Sequence, residues 1–188
     1  QNAERAKAQA AFADYGQYLD SLEMTATIKG FEPLYIQRIA QLTNKSNQFN
    51  LTTLRCSEDD IRAMAGDKND LCLCGKLVDK FGDNGIVTVV AGRQQGDVLD
   101  LTLWLMSCRV LKRGMEDAMM DTVVAEAAAR GVKTIVGHYY PTAKNAMVRE
   151  FYAQYDFAKT AEDADGNTEW TLDVAAYTPK HPHMKIER

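Results

Sequence analysis

The sequence predicts one α/β domain of the α+β kind, in which helices flank a mixed, twisted β-sheet. The chain has 188 residues, of which 46% are hydrophobic and 26% charged, a composition typical of a single globular domain. Three strand-like segments (71–78, 85–91 and 98–106) follow one another, and a helical segment at 115–130 precedes a further strand at 134–140. This order excludes a helical bundle, an all-β sandwich and a doubly wound parallel sheet.

The N-terminal residues have the pattern of an amphipathic helix. Residues 2–22 are rich in Ala, Gln and charge, and their large apolar side chains recur on one stripe at helical spacing: Phe12, Tyr15, Leu19 and Leu22. Because the chain starts at Gln1 without an initiator Met, we expect a fragment or a processed chain. Residues 1–22 would then be a helical linker from an upstream domain, and 23–178 the main domain.

The next segments are a strand, a helix and a loop. Residues 24–29 predict a first strand, and Pro33 suits the first turn of a helix that carries three apolar side chains at helical spacing: Ile36, Ile39 and Leu42. Residues 44–53 then form an unusually amide-rich loop between apolar segments. Ser57 and Asp60 have the spacing of a capping box, which predicts a short helix through Met64.

The middle of the chain predicts an antiparallel meander. The Asn84-Gly85 pair is favoured in tight hairpins, and residues 94–97 supply the next turn. The following helix has an apolar face and an acidic face, and Gly131 is a suitable residue to end it.

The last third of the chain predicts a helix and a hairpin. We expect a helix from about Thr142 to Tyr155, then strands 157–162 and 169–174 joined at Asp165-Gly166-Asn167. Residues 179–188 form a polar tail that we expect to be loose.

The composition argues against several classes of protein. The net charge of −4 provides no basic excess for a nucleic-acid partner. No apolar run reaches the roughly 18 residues of a membrane span and no signal peptide is visible, so we expect a cytoplasmic protein without a membrane partner. The four cysteines lack the spacing of a zinc site, so we interpret them as reduced core residues and expect no metal: Cys56, Cys72, Cys74 and Cys108.

The segment 103–118 has the pattern of an anion cradle. A strand here leads through a turn with Gly114 into the start of a long helix, where unpaired N–H groups and the helix dipole favour negative charge. Lys112 and Arg113 add positive charge. The alternative is an ordinary strand–loop–helix connection with one glycine.

Two residues in the following helical segment are candidates for chemistry. Asn145 and Tyr152 are seven apart, which places both side chains on one face of a helix. A tyrosine there could protonate a leaving thiolate. The alternative is a half-buried helix tyrosine with its hydroxyl at the surface.

From Met24 to Ala175, the predicted order resembles the GNAT acyltransferase fold. The pyrophosphate motif of that family resembles residues 113–118, with Glu116 in place of the central glycine, and its second signature resembles Asn145, Tyr152 and Phe157, with Asp156 in place of glycine. The resemblance implies an acyl-CoA or phosphopantetheine thioester as substrate and Tyr152 as general acid. It implies that further residues line the cofactor: Cys108, Val110, Arg113, Gly114, Met115, Asp117, Ala118 and Asn145.

A narrower resemblance concerns four stretches of the chain. Residues 47–53, 81–85, 104–111 and 141–145 resemble the C-terminal part of FkbH-like proteins, in which a phosphatase-like domain of the haloacid dehalogenase type precedes a region of acetyltransferase fold. The resemblance implies an absent upstream domain and an acyl carrier protein as partner. The Asp-x-Asp at 163–165 falls in a predicted turn, so we do not interpret it as a nucleophile loop.

These observations support two functional hypotheses of different classes. The first is an acyltransferase domain that binds a pantetheine thioester; the second is a non-catalytic module that docks a carrier protein, and a purely structural lid is a third. We expect strands 98–106 and 134–140 to be parallel neighbours, with the pantetheine slot where they splay. We also expect Asn47 and Asn50 to bind substrate there; an ordinary turn network is the alternative.

Overall fold

In a computed structural model, residues 2–10 and 14–188 are described. They form one eight-stranded sheet in the order β6-β7-β5-β4-β3-β2-β1-β8. Its strands are β1 (Thr25–Lys29), β2 (Asp70–Asp79), β3 (Gly82–Gln95), β4 (Val98–Met106), β5 (Thr134–Tyr139), β6 (Ala158–Glu162), β7 (Thr168–Asp173) and β8 (Lys185–Glu187). The β4–β5 and β1–β8 pairs are parallel and the other pairs are antiparallel. The predicted mixed sheet is confirmed.

Helices cover both faces of the sheet. They are α1 (Asn2–Ala10), α2 (Tyr15–Ser21), α3 (Ile36–Lys45), α4 (Glu58–Gly66) and α5 (Met115–Ala129). The apolar side chains of α2 and α5 belong to one hydrophobic core, and those of α3 and α4 belong to a second core. The sheet therefore separates two cores. No helix in the described part of the chain is long and apolar enough to span a membrane.

Several local predictions are confirmed. The capping box at α4 has both of its bonds: the Ser57 N–H donates to Asp60 Oδ2 at 2.8 Å, and the Asp60 N–H donates to Ser57 Oγ at 3.1 Å. The β2–β3 hairpin turns at Lys80-Phe81, however, and not at Asn84-Gly85. Gly85, with φ +70°, lies instead in a bulge of β3, because a bulge also needs a residue that tolerates positive φ.

The predicted helix from Thr142 to Tyr155 is wrong. The structure has two short 3₁₀ helices, Ala146–Val148 and Tyr152–Tyr155, and the backbone between them follows an i→i+3 pattern, as in the bond from the Phe151 N–H to the Val148 carbonyl. Phe151, Tyr152 and Tyr155 are all buried in the core on the α5 face of the sheet, and the 3₁₀ winding places Tyr152 and Tyr155, three residues apart, on the same side of the segment.

Both chain ends differ from the predictions. The expected N-terminal helix is two helices, with Asp14 capping α2; Phe12 of the predicted stripe lies outside the described residues. The tail at 179–188 is not loose, because β8 pairs with the open edge of β1 and the N–H groups of Lys180 and His181 donate to the Asp121 carboxylate. Covering an edge strand in this way satisfies backbone groups that would otherwise face water.

Candidate functional site

Strands β4 and β5 part from each other at their carboxyl ends. They are paired only over residues 98–100 and 134–136, as the predicted parallel neighbours. Directly beyond this pairing, Gly92 opposes Leu101 and Ala91 opposes Leu103, so that Thr102 is an extra residue in β4. A bulge bends its strand and increases the local twist. The bulge at Thr102 therefore accounts for the splay.

A segment of the same chain lies in the splay. This inserted segment, Phe49–Thr52, bridges the two strands: the Leu51 N–H donates to the Trp104 carbonyl at 3.0 Å, and the Tyr140 N–H donates to the Leu51 carbonyl at 2.9 Å. The Met106 N–H donates to the Phe49 carbonyl at 3.0 Å. The Trp104 carbonyl and the Met106 N–H of β4 thus bond protein backbone, and the Thr102 carbonyl accepts a hydrogen bond from the Thr52 hydroxyl at 2.7 Å.

Asn145 holds the inserted segment in place. Its Nδ2 donates to the carbonyl of Asn50 at 2.9 Å and to that of Tyr140 at 3.0 Å, and its Oδ1 accepts the Thr142 N–H at 2.8 Å. Asn145 is fully buried. The residue that the resemblance assigns to the pantetheine arm therefore bonds the backbone of the inserted segment.

The two asparagines that were predicted to bind substrate, Asn47 and Asn50, have different surroundings. Asn50 is fully buried, its Nδ2 donates to the Ser46 carbonyl at 3.1 Å, and its Oδ1 accepts the Thr53 N–H at 2.9 Å. This arrangement is the turn network that was the alternative to substrate binding. Asn47 is half-buried and accepts a hydrogen bond from Arg55. Its predicted role in substrate binding stays a prediction.

Tyr152 lies in the core beside β5. Its ring packs on Gly137, where an added Cβ would come within 2.5 Å of the tyrosine Cζ, and it is 1% exposed. Burial raises the pKa of Tyr152, and the charge of Asp100 raises it further. Because Asn145 and Tyr152 are not on one continuous helix, the two-turn spacing that suggested a shared face does not apply.

The loop before α5 is covered by both chain ends. Gly114 has φ +90°, and a Cβ there would lie 3.1 Å from Pro182 in the C-terminal tail. On the preceding residues, the Tyr15 hydroxyl of α2 donates to the Lys112 carbonyl. Residues from both ends of the described chain therefore partly cover the loop that leads into α5.

Arg113 belongs to a buried ion-pair cluster. Its Nη1 lies 3.2 Å from Asp79 Oδ2, and Arg5 of α1 binds the same carboxylate through Nε at 2.6 Å and Nη2 at 2.9 Å. Burial lowers the pKa of Arg113. Burial alone would raise the pKa of Asp79, but the bonds and charges of the two arginines hold it below its usual value. The side chain of Arg113 is thus paired within the protein.

Glu116 places a carboxylate at the start of α5. Burial raises the pKa of Glu116 to about 6, although the N–H groups of Gly114 and Glu116 act in the opposite direction. Its Oε2 is buried without a hydrogen-bond partner in the described part of the chain. The helix N-terminus therefore already faces an acidic group.

The remaining residues assigned to the cofactor have mixed surroundings. Val110, Met115 and Ala118 are fully buried, and Asp117 accepts a hydrogen bond from the Tyr155 hydroxyl at 2.5 Å. Cys108 is exposed, at the carboxyl end of β4. Among the eight predicted cofactor residues, it is the one whose side chain faces solvent most openly.

Comparisons with known proteins bear on the fold. No family profile and no curated protein matches the sequence. Solved structures do match: the ribosomal-protein-S18-alanine N-acetyltransferase of Escherichia coli is 15% identical with a TM-score of 0.60, and the match covers 79% of this chain and 94% of that one. A putative GNAT-family acetyltransferase from Desulfovibrio desulfuricans is 13% identical, with a TM-score of 0.62 and coverage of 79% and 99%.

The chain has the GNAT fold. Spermidine N-acetyltransferase from Vibrio cholerae, solved with CoA and spermine, supports the same conclusion at 9% identity, with a TM-score of 0.59 and coverage of 80% and 96%. At these identities the likeness shows the fold and leaves the substrate open.

CoA does not fit these residues in the position that the GNAT resemblance implies. The pantetheine arm would need the backbone edge of β4, where the Trp104 carbonyl and the Met106 N–H bond the inserted segment. The pyrophosphate would meet the Glu116 carboxylate and the tail at Pro182. A like-charge contact and a covered helix N-terminus both oppose phosphate binding.

An open cavity lies beside the filled splay, at the carboxyl end of β4. This basic cleft has a volume of about 580 Å³ and is lined by α3, the loop after it and the residues after β4. Its cations are Arg38, Lys45, Arg109 and Lys144. No Asp or Glu lines it in the described residues. Cys108 is also in its wall, with Sγ 3.2 Å from the Gln48 side-chain oxygen.

Sequence reasoning missed most of the basic cleft. Its cations come from three places in the chain: Arg38 and Lys45 lie on α3, Arg109 follows β4 and Lys144 follows β5. Arg109 and Lys144 lie within the stretches 104–111 and 141–145 that resemble FkbH-like proteins, whereas Arg38 and Lys45 lie outside all four stretches. A search for cations near the carboxyl ends of the strands would have found Arg109 and Lys144, but not Arg38.

The described residues contain no group of three or more His, Cys, Asp or Glu side chains placed to hold a metal ion. Cys56 and Cys74 are buried free thiols. Burial raises the pKa of the Cys74 thiol to about 12. A neutral, buried thiol behaves as a small apolar side chain.

Proposed function

We propose that this GNAT-fold domain recognises a pantetheine thioester on an acyl carrier protein, and that it serves as a docking module for an FkbH-like phosphatase-type domain. It does not use free acyl-CoA as a cofactor. The observation that carries the proposal is the open basic cleft beside the splay. The inserted segment already takes the backbone hydrogen bonds of β4 that an extended pantetheine arm would make, so an arm must be recognised beside the splay and not within it.

A carrier protein differs from CoA in what the site must hold. The arm of a carrier protein bears a single phosphodiester and no adenosine diphosphate, so no pyrophosphate cradle at the start of α5 is required. The basic cleft offers positive charge beside the splay, in a cavity that is open to a protein-borne arm. The four stretches that resemble FkbH-like proteins support a carrier protein as the source of the arm.

The proposal is tested by titrating the chain with three partners: holo-carrier protein, apo-carrier protein and acetyl-CoA. We expect the holo form to bind more tightly than the apo form, and we expect acetyl-CoA to compete with neither. Tight acetyl-CoA binding, with changed amide signals at Leu51 and Trp104, would show that the inserted segment leaves the splay and would contradict the proposal.

Acyl transfer is the second candidate, and the shared fold with acetyltransferases favours it. Acyl transfer requires the inserted segment to move out of the splay. Because Tyr152 is buried, it also requires either another proton donor or a conformational change that exposes Tyr152. Release of free thiol from an acyl thioester by the isolated chain separates this candidate from docking alone.

A further inference from the structure

The basic cleft holds cations that lack acidic partners. In the described part of the chain, no carboxylate lies within 4.0 Å of Arg38, Lys45, Arg109 or Lys144, although salt bridges form elsewhere on the surface, as between Arg62 and Asp59 at 2.9 Å. Arg38 donates to the neutral Gln41 side chain. Among the residues that the structure describes, the guanidinium of Arg109 donates only to Ser107 Oγ and to the Asn84 carbonyl, at 3.4 Å and 3.3 Å.

The cations also act on one another. Burial lowers the pKa of Arg38, and the positive charge of Arg109 lowers it further. Such like-charge proximity is unfavourable unless an anion joins the group. The whole chain has a net charge of −4, so the concentration of positive charge in one cleft does not follow from the overall composition.

The chemistry of the lining selects the class of ligand. Two arginines offer planar forks that match phosphate oxygens, and two lysines add point charges. A carboxylate would neutralise one of the four cations, whereas a phosphate monoester brings up to two negative charges. Four cations without a carboxylate in the described lining disfavour an amine ligand, because like charges repel. The volume of about 580 Å³ suits a small molecule.

We propose that the basic cleft is a binding site for a small molecule that carries a phosphate monoester. The site is distinct from the pyrophosphate position at the start of α5, which is separately covered by Glu116 and Pro182. The inference does not rest on the carrier-protein proposal, because a free phosphorylated molecule can enter the open cleft without a protein partner.

The test uses inorganic phosphate and ethyl phosphate as probes. Their binding is measured by the amide signals of the ¹⁵N-labelled chain and by calorimetry. We expect saturable shifts at residues 45–48 and 106–109. We expect Arg38→Gln and Arg109→Gln each to weaken binding by about tenfold, as the loss of a charge-assisted hydrogen bond does. Lys68→Gln, an exposed lysine outside the cleft, is the matched control and should bind as the parent does.

Lys144→Gln provides a variant that does not endanger folding, because Lys144 is exposed and its side chain makes no hydrogen bond within the described residues. Equal binding by Lys144→Gln, the arginine variants and the parent would overturn the inference, as would an absence of saturable shifts with either probe. Binding of both probes without binding of holo-carrier protein would support the phosphate site while removing the carrier-protein proposal. Binding of holo-carrier protein without binding of either probe would overturn the phosphate site and leave the carrier-protein proposal standing.

Discussion

At the scale of single residues, Glu116 has the clearest consequence for stability. Its carboxyl is buried at the start of α5 with one oxygen unpartnered in the described structure, and burial raises its pKa from 4.5 to about 6. A carboxyl with a raised folded-state pKa binds its proton more tightly in the folded protein than in the unfolded chain. Its contribution therefore favours folding at low pH and is lost as pH rises from about 4.5 to above about 6.

We expect Glu116→Gln to raise the free energy of unfolding at about pH 8 by about 2 kcal/mol, because the neutral amide avoids ionisation in a buried site. At about pH 4, where the glutamate is protonated in both states, parent and variant should have nearly equal stability. Urea unfolding at the two pH values measures the difference. Glu150→Gln, at an exposed glutamate, is the control, and an equal pH dependence in both variants would contradict the assignment to Glu116.

Tyr152 separates docking from catalysis. Because its ring is buried against Gly137, we expect the parent to release no thiol from an acyl thioester above the buffer rate, and Tyr152→Phe to bind holo-carrier protein as the parent does. A general acid contributes about 100- to 10,000-fold to a rate. Thiol release by the parent that falls by this factor in Tyr152→Phe would establish acyl transfer in place of docking.

At the scale of elements, the inserted segment gives the two asparagines of the amide-rich loop different structural roles. If both Asn47 and Asn50 faced substrate, replacing either with alanine would weaken activity or carrier binding without loss of stability. In the structure, Asn50 instead ties the turn to Ser46 and Thr53, whereas Asn47 is half-buried at the cleft. The two residues should therefore behave differently.

We expect Asn50→Ala to lower the free energy of unfolding by about 1–3 kcal/mol, since the Thr53 N–H loses its buried partner. Asn47→Ala should remain within about 1 kcal/mol of the parent, as surface changes usually do. Hydrogen exchange at the amides of Leu51 and Tyr140 reports on the same element and should become faster in Asn50→Ala alone. Equal stability of the two variants would restore the substrate-binding prediction for Asn50.

At the scale of the whole molecule, the cluster of Arg5, Asp79 and Arg113 joins the first helix to the sheet and to the start of α5. Asp79 has a side chain with 0% exposure and accepts from both arginines. Its lowered pKa means that it stabilises the fold above the unfolded value near 4, and that this contribution is lost as pH falls through the folded value.

We expect Asp79→Asn to destabilise the protein by about 3–5 kcal/mol, because two buried arginines lose their counter-charge. Asp59→Asn breaks a surface pair with Arg62, in which the Asp59 side chain is 94% exposed, and should cost less than about 1 kcal/mol. Thermal and urea unfolding of the two variants give the comparison. A similarly small loss of unfolding free energy in both variants would show that the buried cluster does not stabilise the fold more than a surface ion pair does.

The sequence by itself determined the features that depend on near neighbours. The three-strand meander, α5, the capping box at α4 and the parallel position of β5 beside β4 all follow from periodicity, turn chemistry and element order. These features arise from interactions within a few residues or within one supersecondary unit. The resemblance to GNAT proteins was also correct as to fold.

Only the tertiary structure decided what fills the site. Three contacts that define the site and the core join residues far apart in the chain: Leu51–Trp104 by 53 positions, Asn50–Asn145 by 95 and Arg5–Asp79 by 74. The basic cleft likewise brings together cations from distant segments, namely Arg38, Lys45, Arg109 and Lys144. No local pattern in the chain encodes such contacts, because they depend on how the elements pack. In the packed structure, the inserted segment occupies the predicted slot, and the positive charge is gathered in the basic cleft beside it.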